Sequence, residues 1–580
     1  MQTKSLPRAQ FRYLMQHFFR RFFDTEAFAL PHEEMHLLFV QTIALLVLPG
    51  LFKTVYSITK YSKLAWYPVA ARDQAVLFDT YSFLCLSMIL IGVVVVFEWD
   101  AIFPDERDFY NLTPLPIKPH LIFFAKLVSL ALFVVVFHFA INGIATLLFP
   151  GFIFVKSFKP GSAGWRISNC DVFRYYSSHA ISLFVSTLFV FASVIAIRSI
   201  SLLFFPVKLV RIGSRCAQLA LILLLLCVLF SFSSIAPDRL MQERAPLIYL
   251  FPPFWFLGIY ETLIGHDGRV FCTLSKLGWT AVGVSCLVSI VSYTVSYWSC
   301  MQKQFLSIGI AFSSLSTIKK TWVWLAHKTF LARPAERACF HFIALTAFRR
   351  REHLLYIGSF VAVGIAFICM KIYTIRSDEM STLSPNLNVL LSFPLIMSFF
   401  ILMGLRFAFS IPADLNANWI FKITDKQKLE EACGGAKKFM WCAIHMPLLL
   451  VFVPCYLMIW SPYFVLLHVA YVSVLSLILI EVLLFRLEKV PFTCSYIPGK
   501  ANIKLWWPVY VIAGIGFSYH STFLERWLLQ DMKRYSAFAI TAGVILAIMQ
   551  RCRSAFLKRL DAFRFEEEPE EQIFVLHIGA

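Results

Sequence analysis

Charged residues are scarce in this sequence: Asp, Glu, Lys and Arg make up only 15% of its 580 residues, against 59% hydrophobic residues. Soluble domains carry about 25% charged residues, so the composition excludes a chain of several water-soluble domains. It also excludes intrinsic disorder, which needs low hydrophobicity and high charge. The 14 cysteines are too few for a disulfide-rich secreted fold. A polytopic membrane protein, most of it helix, remains.

Long apolar runs recur along the whole chain. A helix needs about 20 mostly apolar residues to cross about 30 Å of hydrocarbon. The runs are unbroken rather than alternating, which favours helices over strands. We therefore predict an all-α transmembrane helical bundle with twelve spans, at residues 37–58, 79–97, 120–149, 180–197, 217–236, 277–300, 353–375, 387–411, 439–460, 463–485, 505–524 and 533–550.

The positions of the positive charges predict the orientation of these spans. With the N-terminus in the cytoplasm, most lysines and arginines fall in inside loops, and both termini are then cytoplasmic. Residues 247–264 are apolar enough for a thirteenth span, but a crossing there would turn the basic segment 301–352 outward. We therefore predict that 247–264 form a re-entrant or interfacial segment on the outer side, broken at Pro252 and Pro253 and rich in aromatic residues suited to the interface.

The chain repeats one plan twice. Each half begins with an amphipathic basic stretch, FRYLMQHFFRRFF from Phe11 and ERACFHFIALTAFRRREH from Glu336, which predicts an interfacial helix rather than a charged flank of a span. Two spans, a polar inside loop and four more spans follow each stretch. This order predicts two parallel six-helix repeats with a pathway between them.

The predicted organisation therefore has five parts. They are a cytoplasmic amphipathic N-terminal helix at 1–36, a first six-span half at 37–300, a basic cytoplasmic linker with the second amphipathic helix at 301–352, a second six-span half at 353–550 and a cytoplasmic C-terminal tail at 551–580.

One polar inside loop lies at residues 97–126. It is rich in acidic residues, against the positive-inside trend, so we expect it to serve something besides topology. Pro104 can start a short helix, and Pro114 and Pro116 end it. The resulting exposed turns present Phe109, Tyr110 and Leu112 as anchors, although ordinary solvated turns are the alternative.

A second inside loop, at residues 409–439, holds the equivalent position in the second half. It places Trp419 and Phe421 in a polar context, and Gly434 and Gly435 are expected to end it. An aromatic side chain in a polar loop makes a good anchor for a partner protein, because such residues carry much of the energy of protein association.

These loops carry a resemblance to a known family. DERDFYNLTPLPIKPHLIFFAKL, from Asp105, resembles the segment after the second transmembrane helix of exporter-type (type-2 family) ABC transporter permeases, with an acidic and basic cluster before LTPLP. FSIPADLNANWIFKIT from Phe409 and PFTCSYIPGKANIK from Pro491 also resemble parts of large twelve-span bacterial permeases. The motifs cover a small part of the chain, whereas the order of elements covers all of it.

The resemblance implies that the amphipathic stretches are connector helices and that both loops are coupling helices, each seated in a groove of an ABC ATPase. We therefore call residues 97–126 and 409–439 the first and second candidate coupling loops. One chain would replace the usual permease dimer. The coupling residues that it implies in the first loop are Glu106, Arg107, Asp108, Leu115 and Pro116. On physical grounds we add Trp419 and Phe421 in the second.

No stretch of the sequence matches the phosphate-binding pattern G-x-x-x-x-G-K-[ST]. The nearest, Pro498 to Ala501, lacks the preceding glycine and the hydroxyl for magnesium. We therefore expect that the chain is not itself an enzyme, that it holds no cofactor, and that cytoplasmic ABC ATPase subunits, two copies, supply ATP hydrolysis. The lipid bilayer is the other expected partner, and nucleic acid is not expected.

Ionisable and strongly polar residues inside a span are functional candidates, because they are costly there. His138 and Asn142, four residues apart, share one face of the third span and could line a pathway or bond between helices. Glu481 lies near a predicted cytoplasmic helix end, five residues before Arg486, where a local ion pair competes with proton coupling. No Cys and His spacing predicts a metal site.

The sequence therefore predicts the permease subunit of an ATP-driven exporter in the cell (inner) membrane. An ion-coupled secondary transporter is the alternative, since twelve spans in two parallel halves also fit that class, but acidic residues within the predicted spans are scarce. A membrane scaffold or an intramembrane enzyme is a weaker alternative, because no catalytic constellation is visible. The sequence does not indicate a substrate.

Overall fold

The computed structural model of the protein is helical throughout the residues that it describes. These are 6–21, 32–64, 67–99, 101–103, 112, 115, 117–155, 169–204, 207–235, 237–243, 245–266, 268–304, 331, 333–377, 387–411, 429–485, 490–493 and 507–559. Among them there are helices and turns and no strand, which confirms the all-α prediction.

The chain divides into two compact units, Met1–Ile310 and Ala311–Ala580. The helices of the first unit are α1 (Leu6–Arg21), α2 (His32–Leu64), α3 (Val69–Phe97), α4 (Pro119–Val155), α5 (Asn169–Phe204), α6 (Val207–Ser231), α7 (Pro237–Gln242), α8 (Leu247–Leu250), α9 (Pro252–Ile264) and α10 (Arg269–Gln304), with a short 3-10 turn at Phe232–Ser234.

The helices of the second unit are α11 (Pro334–Arg349), α12 (Arg351–Ser377), α13 (Leu387–Ala408), α14 (Leu429–Pro447), α15 (Val453–Leu457), α16 (Pro462–Leu484), α17 (Trp507–Leu529) and α18 (Met532–Arg559). A π-helical turn, Leu448–Phe452, joins α14 to α15. The helical path from Leu429 to Leu457 is therefore continuous.

Eleven of the described helices are long and apolar enough to cross a membrane, so the protein is a multi-pass helical membrane protein. All eleven coincide with predicted spans. The remaining predicted span, 505–524, is the helix α17, but α17 is less apolar and continues through Glu525 and Arg526, and it is not among the eleven.

The segment 247–264 is broken near its two prolines, as predicted: α8 ends at Leu250, and α9 begins at Pro252. At about 1.5 Å per residue, the 13 residues of α9 extend about 20 Å, too short for a span. The aromatic residues of α9 were expected at the membrane interface. Phe254, Phe256 and Tyr260 are instead fully buried, because α9 packs against α3, α5 and α10 in the core of the first unit.

One helix is central in each unit. Among the eleven candidate spans, those on α3 and α13 are the most buried. In the first unit α3 contacts α4, α5, α6 and α9, and in the second unit α13 contacts α12, α14, α16 and α17. Each of the candidate coupling loops follows the central helix of its unit.

The prediction that Gly434 and Gly435 end the second candidate coupling loop is wrong. α14 begins at Leu429, so both glycines lie inside the helix. Glycine costs about 1 kcal/mol relative to alanine in a helix interior, and here close packing explains its presence. A Cβ added to Gly435 would lie 2.5 Å from the backbone oxygen of Glu336, so only glycine lets α11 approach this closely.

Candidate functional site

The amphipathic stretch of the first unit forms α1, which packs on α4. Leu14 and Phe18 share one face of α1 and are buried against Ile122 and Ala125. The hydroxyl of Ser129 donates to the backbone oxygen of Met15 at 2.9 Å. The apolar face of α1 therefore covers α4, the helix that follows the first candidate coupling loop.

The amphipathic stretch of the second unit forms α11, which packs on α14 in the same way. Cys339 and Ile343 are buried on the contacting face. Glu336 forms an ion pair with Lys438, and Gly434 and Gly435 allow close approach of the helices. In both units, therefore, an amphipathic helix lies against the helix that follows the candidate coupling loop.

The chain is tightly held where it leaves α3 and begins the first candidate coupling loop. Trp99 is fully buried, and its indole N–H donates to the Ser214 hydroxyl of α6 at 3.2 Å. The guanidinium of Arg198, on α5, lies 5.6 Å from the Trp99 ring centre. Tyr293, on α10, donates its hydroxyl to the backbone oxygen of Ile102 at 3.2 Å. Three helices thus fix the end of α3.

The chain is held at the end of α13 by different residues. His353 Nε2 donates to the backbone oxygen of Ile411 at 3.0 Å. Phe492, whose φ is +65°, donates its backbone N–H to the oxygen of Phe409 at 3.3 Å, and its ring lies 4.5 Å from that of His353, centre to centre. A bulky residue with positive φ is strained, so the surrounding contacts must stabilise this turn.

Most of the predicted coupling residues lie outside the described residues: Glu106, Arg107, Asp108, Pro116, Trp419 and Phe421, and also Phe109 and Tyr110. Leu115 is described, and 47% of it is exposed. Leu112 was predicted as an exposed anchor, but it packs against the cluster formed by α1 and α4. This part of the first loop therefore packs against the contact between α1 and α4.

His138 and Asn142 are buried between helices. The Asn142 side-chain amide donates to His138 Nδ1 at 3.1 Å. His138 Nδ1 also lies 3.0 Å from the hydroxyl of Thr187 on α5. Thr187 lies 3.5 Å from the hydroxyl of Ser87 on α3. These contacts connect α3, α4 and α5, which is the interhelical bonding that the sequence left as one of two interpretations.

Glu481, on α16, is 4% exposed and takes part in an ion-pair network. Its Oε1 lies 2.5 Å from Lys437 Nζ on α14, and its Oε2 lies 3.7 Å from Arg553 Nη1 on α18. The sequence indicated Arg486 as the partner, but Arg486 is outside the described residues. The observed partners join three helices of the second unit.

Sequence reasoning missed an ion-pair triad in the first unit, formed by Lys53, Lys60 and Asp79. The two carboxylate oxygens of Asp79 each accept a hydrogen bond of 2.7 Å, one from Lys53 Nζ and one from Lys60 Nζ. Asp79 is fully buried. A seven-residue spacing of lysines along α2 was the available signal, because it places both on one face.

Sequence reasoning also missed the pairing of two buried residues in the second unit. His468 Nδ1, on α16, lies 2.5 Å from Glu525 Oε1, on α17, and both side chains are fully buried. The nearby hydroxyls of Tyr471 and Tyr535 donate to backbone oxygens, not to Glu525. His468 Nε2 and Glu525 Oε2 have no hydrogen-bond partner in the described part of the chain.

Within the described ranges, no group of three or more His, Cys, Asp or Glu side chains could hold a metal ion. The fold and these sites define a multi-pass helical membrane protein with two separately packed units. No protein-family model matches the chain, and no curated protein or solved structure is significantly similar to it. Any functional assignment must therefore depend on its own residues and packing.

Proposed function

We propose that this chain is the membrane-spanning permease subunit of an ATP-driven exporter of the ABC type. One observation carries the proposal: in each unit an amphipathic helix packs on the helix that follows the candidate coupling loop, α1 on α4 and α11 on α14. This is the arrangement expected of a connector helix beside a coupling loop. In this proposal α17 is a twelfth span, the units are two parallel repeats in the inner membrane, and both termini are cytoplasmic.

The contacts around the loops are suited to transmitting force. Each loop starts directly from the most buried candidate span of its unit, and that start is hydrogen-bonded to neighbouring helices. Because packed helices move as bodies rather than deforming continuously, displacement of a loop would displace the central helix with its neighbours. A separate ATPase that closes on ATP would supply the displacement, and this chain would convert it into a rearrangement within the membrane.

Co-purification with an ATPase tests the proposal. The tagged protein is purified in mild detergent, captured proteins are identified by mass spectrometry, and the ATPase activity of the complex is measured. We expect a protein with a phosphate-binding G-x-x-x-x-G-K-[ST] motif. Arg107→Glu and Trp419→Ala should each reduce its capture by about tenfold or more, because charge pairs and buried aromatic anchors dominate such interfaces.

Matched controls separate loss of the interface from loss of folding. Arg269→Glu reverses an exposed charge at the start of α10, and Trp279→Ala removes a half-exposed indole within α10. Both residues lie away from the candidate loops in the sequence, so both variants should capture the ATPase as the unmodified chain does. Equal capture by all four variants would contradict the coupling-loop assignment.

A second candidate, an ion-coupled secondary transporter, is favoured by the fully buried carboxyl group of Glu525. Buried carboxyl groups inside helices of a membrane protein are candidate proton or cation sites. The two candidates predict different energy sources. In proteoliposomes, uptake or release that follows an imposed proton gradient without ATP favours the secondary transporter, and dependence on a bound ATPase favours the permease.

A further inference from the structure

The triad of Lys53, Asp79 and Lys60 has no role in the proposed coupling of loops to an ATPase. It lies at the contact between α2 and α3. Asp79 is fully buried, whereas the side chains of Lys53 and Lys60 keep 21% and 22% exposure. One carboxylate between two ammonium groups leaves a formal charge of +1 on the triad.

This surplus charge is held inside the bundle rather than released to solvent. Long lysine side chains near helix ends normally extend toward water. Lys63, in the last turn of α2, is exposed in that way. Lys53 and Lys60 instead bend onto Asp79. Because an ammonium group has three N–H donors and each makes one hydrogen bond within the triad, donors remain for a further acceptor.

Aromatic rings lie beside the ammonium groups of the triad. Lys53 Nζ lies 5.6 Å from the ring centre of Phe78, and Lys60 Nζ lies 5.7 Å from the same ring. Neighbouring side chains on the outward surface of α2 are large, apolar and exposed: Phe52, Val55, Tyr56 and Ile58. A ligand that satisfies both features has an anionic group for the lysines and an apolar chain for the surface of α2.

The distance of the triad from the end of α2 is suited to binding a lipid head group. At about 1.5 Å per residue, Lys60 and Lys53 lie about 6 Å and about 16 Å along the axis from Leu64, the last residue of α2. A head group at the end of the helix can therefore reach Lys60 first and Lys53 deeper in the bundle. The chain of the ligand would then lie along the exposed apolar surface of α2.

The second unit has a related feature at the corresponding helices. Lys371, on α12, donates to the hydroxyl of Ser392, on α13, at 2.9 Å. Each unit thus places a lysine of its first candidate span against a polar residue of its second. In the second unit that residue is a serine, so a lysine recurs at this position with a neutral residue of the second candidate span as a hydrogen-bond partner.

We propose that the triad of Lys53, Asp79 and Lys60 binds the phosphate head group of a membrane amphiphile whose chain lies along α2. Two separate ammonium groups with several free donors suit the oxygens of a phosphate, which lysine binds as a point charge. The ligand would neutralise the surplus charge, and its chain would cover exposed apolar side chains. The proposal holds whether the energy source is ATP or an ion gradient.

Competition binding with defined lipids tests this proposal. The purified full chain, in a non-ionic detergent, binds a fluorescent short-chain phosphatidic acid, followed by anisotropy. Unlabelled phosphatidic acid should compete, whereas diacylglycerol with the same chains and inorganic phosphate should compete at least tenfold more weakly. If inorganic phosphate competed as strongly as the lipid, the proposal that the ligand is an amphiphile would be overturned. If diacylglycerol competed as strongly as phosphatidic acid, the proposal that the triad binds a phosphate head group would be overturned.

Variants locate the site. Lys53→Met and Lys60→Met should each weaken binding by about tenfold or more, the loss expected for one charge-assisted hydrogen bond. Asp79→Asn should tighten binding because it raises the charge of the triad. Lys63→Met, on the same helix but without an acidic partner in the described structure, should bind as the unmodified chain does.

The melting temperature of every variant is measured in parallel, so that a folding defect is not mistaken for lost binding. If Asp79→Asn does not fold, the two lysine variants decide. Folded Lys53→Met and Lys60→Met proteins that bind phosphatidic acid as tightly as the unmodified chain would overturn the proposal and leave the triad a purely structural ion-pair network. No ATPase is present, so failure here is separate from failure of the coupling proposal.

Discussion

The two units hold their amphipathic helices in corresponding places by different interactions. In the first unit α1 inserts the large side chains of Leu14 and Phe18 between residues of α4. In the second unit α11 approaches α14 over two glycines and adds an ion pair between Glu336 and Lys438. Because the position is the same and the chemistry differs, the position of the helix is the common feature of the two units.

The starts of the two candidate coupling loops differ in the same manner. A buried tryptophan, Trp99, donates a hydrogen bond to α6, and Tyr293 of α10 donates one to the backbone of Ile102; together they fix the end of α3. A histidine and a strained phenylalanine, His353 and Phe492, fix the end of α13. Different residues thus fix the ends of the two central helices. A substitution at the end of one helix should loosen that end without changing the contacts that fix the other.

The largest effect is expected in the first unit, for Phe18→Ala. Phe18 is 1% exposed, and its ring lies under the ammonium group of Lys126, 4.7 Å from ring centre to Nζ. Removing a buried phenylalanine side chain costs about 3 kcal/mol. We expect the amides of residues 6–21 to exchange with deuterium more than tenfold faster, as followed by mass spectrometry, since α1 is held to α4 by few other large side chains.

Tyr13→Ala is the matched control for Phe18→Ala. Tyr13 lies on the same helix but is 72% exposed, so its removal should leave exchange in α1 unchanged. Equal exchange in the Phe18→Ala and Tyr13→Ala proteins would show that the apolar face of α1 does not hold it to α4, and the comparison between the units would lose one side.

A smaller effect is expected in the second unit, for Gly435→Ala. The new Cβ would lie 2.5 Å from the Glu336 oxygen and 3.0 Å from Cys339 Cβ. Backbone cannot yield as a flexible side chain does, so α11 must move away from α14, at a cost of about 2 kcal/mol. Amide exchange of residues 334–349 should accelerate, and the melting temperature should fall.

Gly516→Ala provides the control for this helix glycine. Apart from the nearby backbone of α17 itself, no atom of the described residues lies within 4 Å of a Cβ at Gly516, so alanine should be neutral or stabilise the protein by about 0.5 kcal/mol. If Gly435→Ala melted like Gly516→Ala, the close approach of α11 and α14 would not be a determinant of their packing.

The helices were predictable because the length of an apolar run is a local property, and all eleven candidate spans were located from it. Gly434 and Gly435 were not, because the sequence does not show that a second helix lies against them. When the position of α11 is not known, two consecutive glycines in a polar stretch predict the end of a loop. The close approach to the backbone of Glu336 is what makes glycine necessary inside α14.

The buried charges were missed for a related reason. Asp79 was the first residue of the predicted span 79–97, and Glu525 came just after 505–524, so both resembled ordinary charges at membrane borders. In the structure α3 begins earlier, at Val69, and α17 ends later, at Leu529, so each carboxylate lies inside its helix. Their partners, Lys53 with Lys60 and His468, belong to other helices, and one sequence does not specify which helices meet.

The smallest effect is expected for Glu336→Gln, which removes the charge of the α11–α14 ion pair while preserving its shape. The Glu336 side chain is 10% exposed and that of Lys438 is 29% exposed, so solvent screens the pair only in part. We expect a loss of about 1 kcal/mol, less than for Gly435→Ala. A double-mutant cycle with Lys438→Met isolates the pairwise energy from other effects of each substitution.

Arg333→Gln is the control. Arg333 lies 3.9 Å from Glu336 but is 64% exposed, so solvent screens this pair and its removal should cost less stability than removal of the pair with Lys438. A coupling energy of zero would leave α11 held by packing, through the two glycines and the buried side chains of Cys339 and Ile343, and the two units would then differ only in the size of the side chains at the contact.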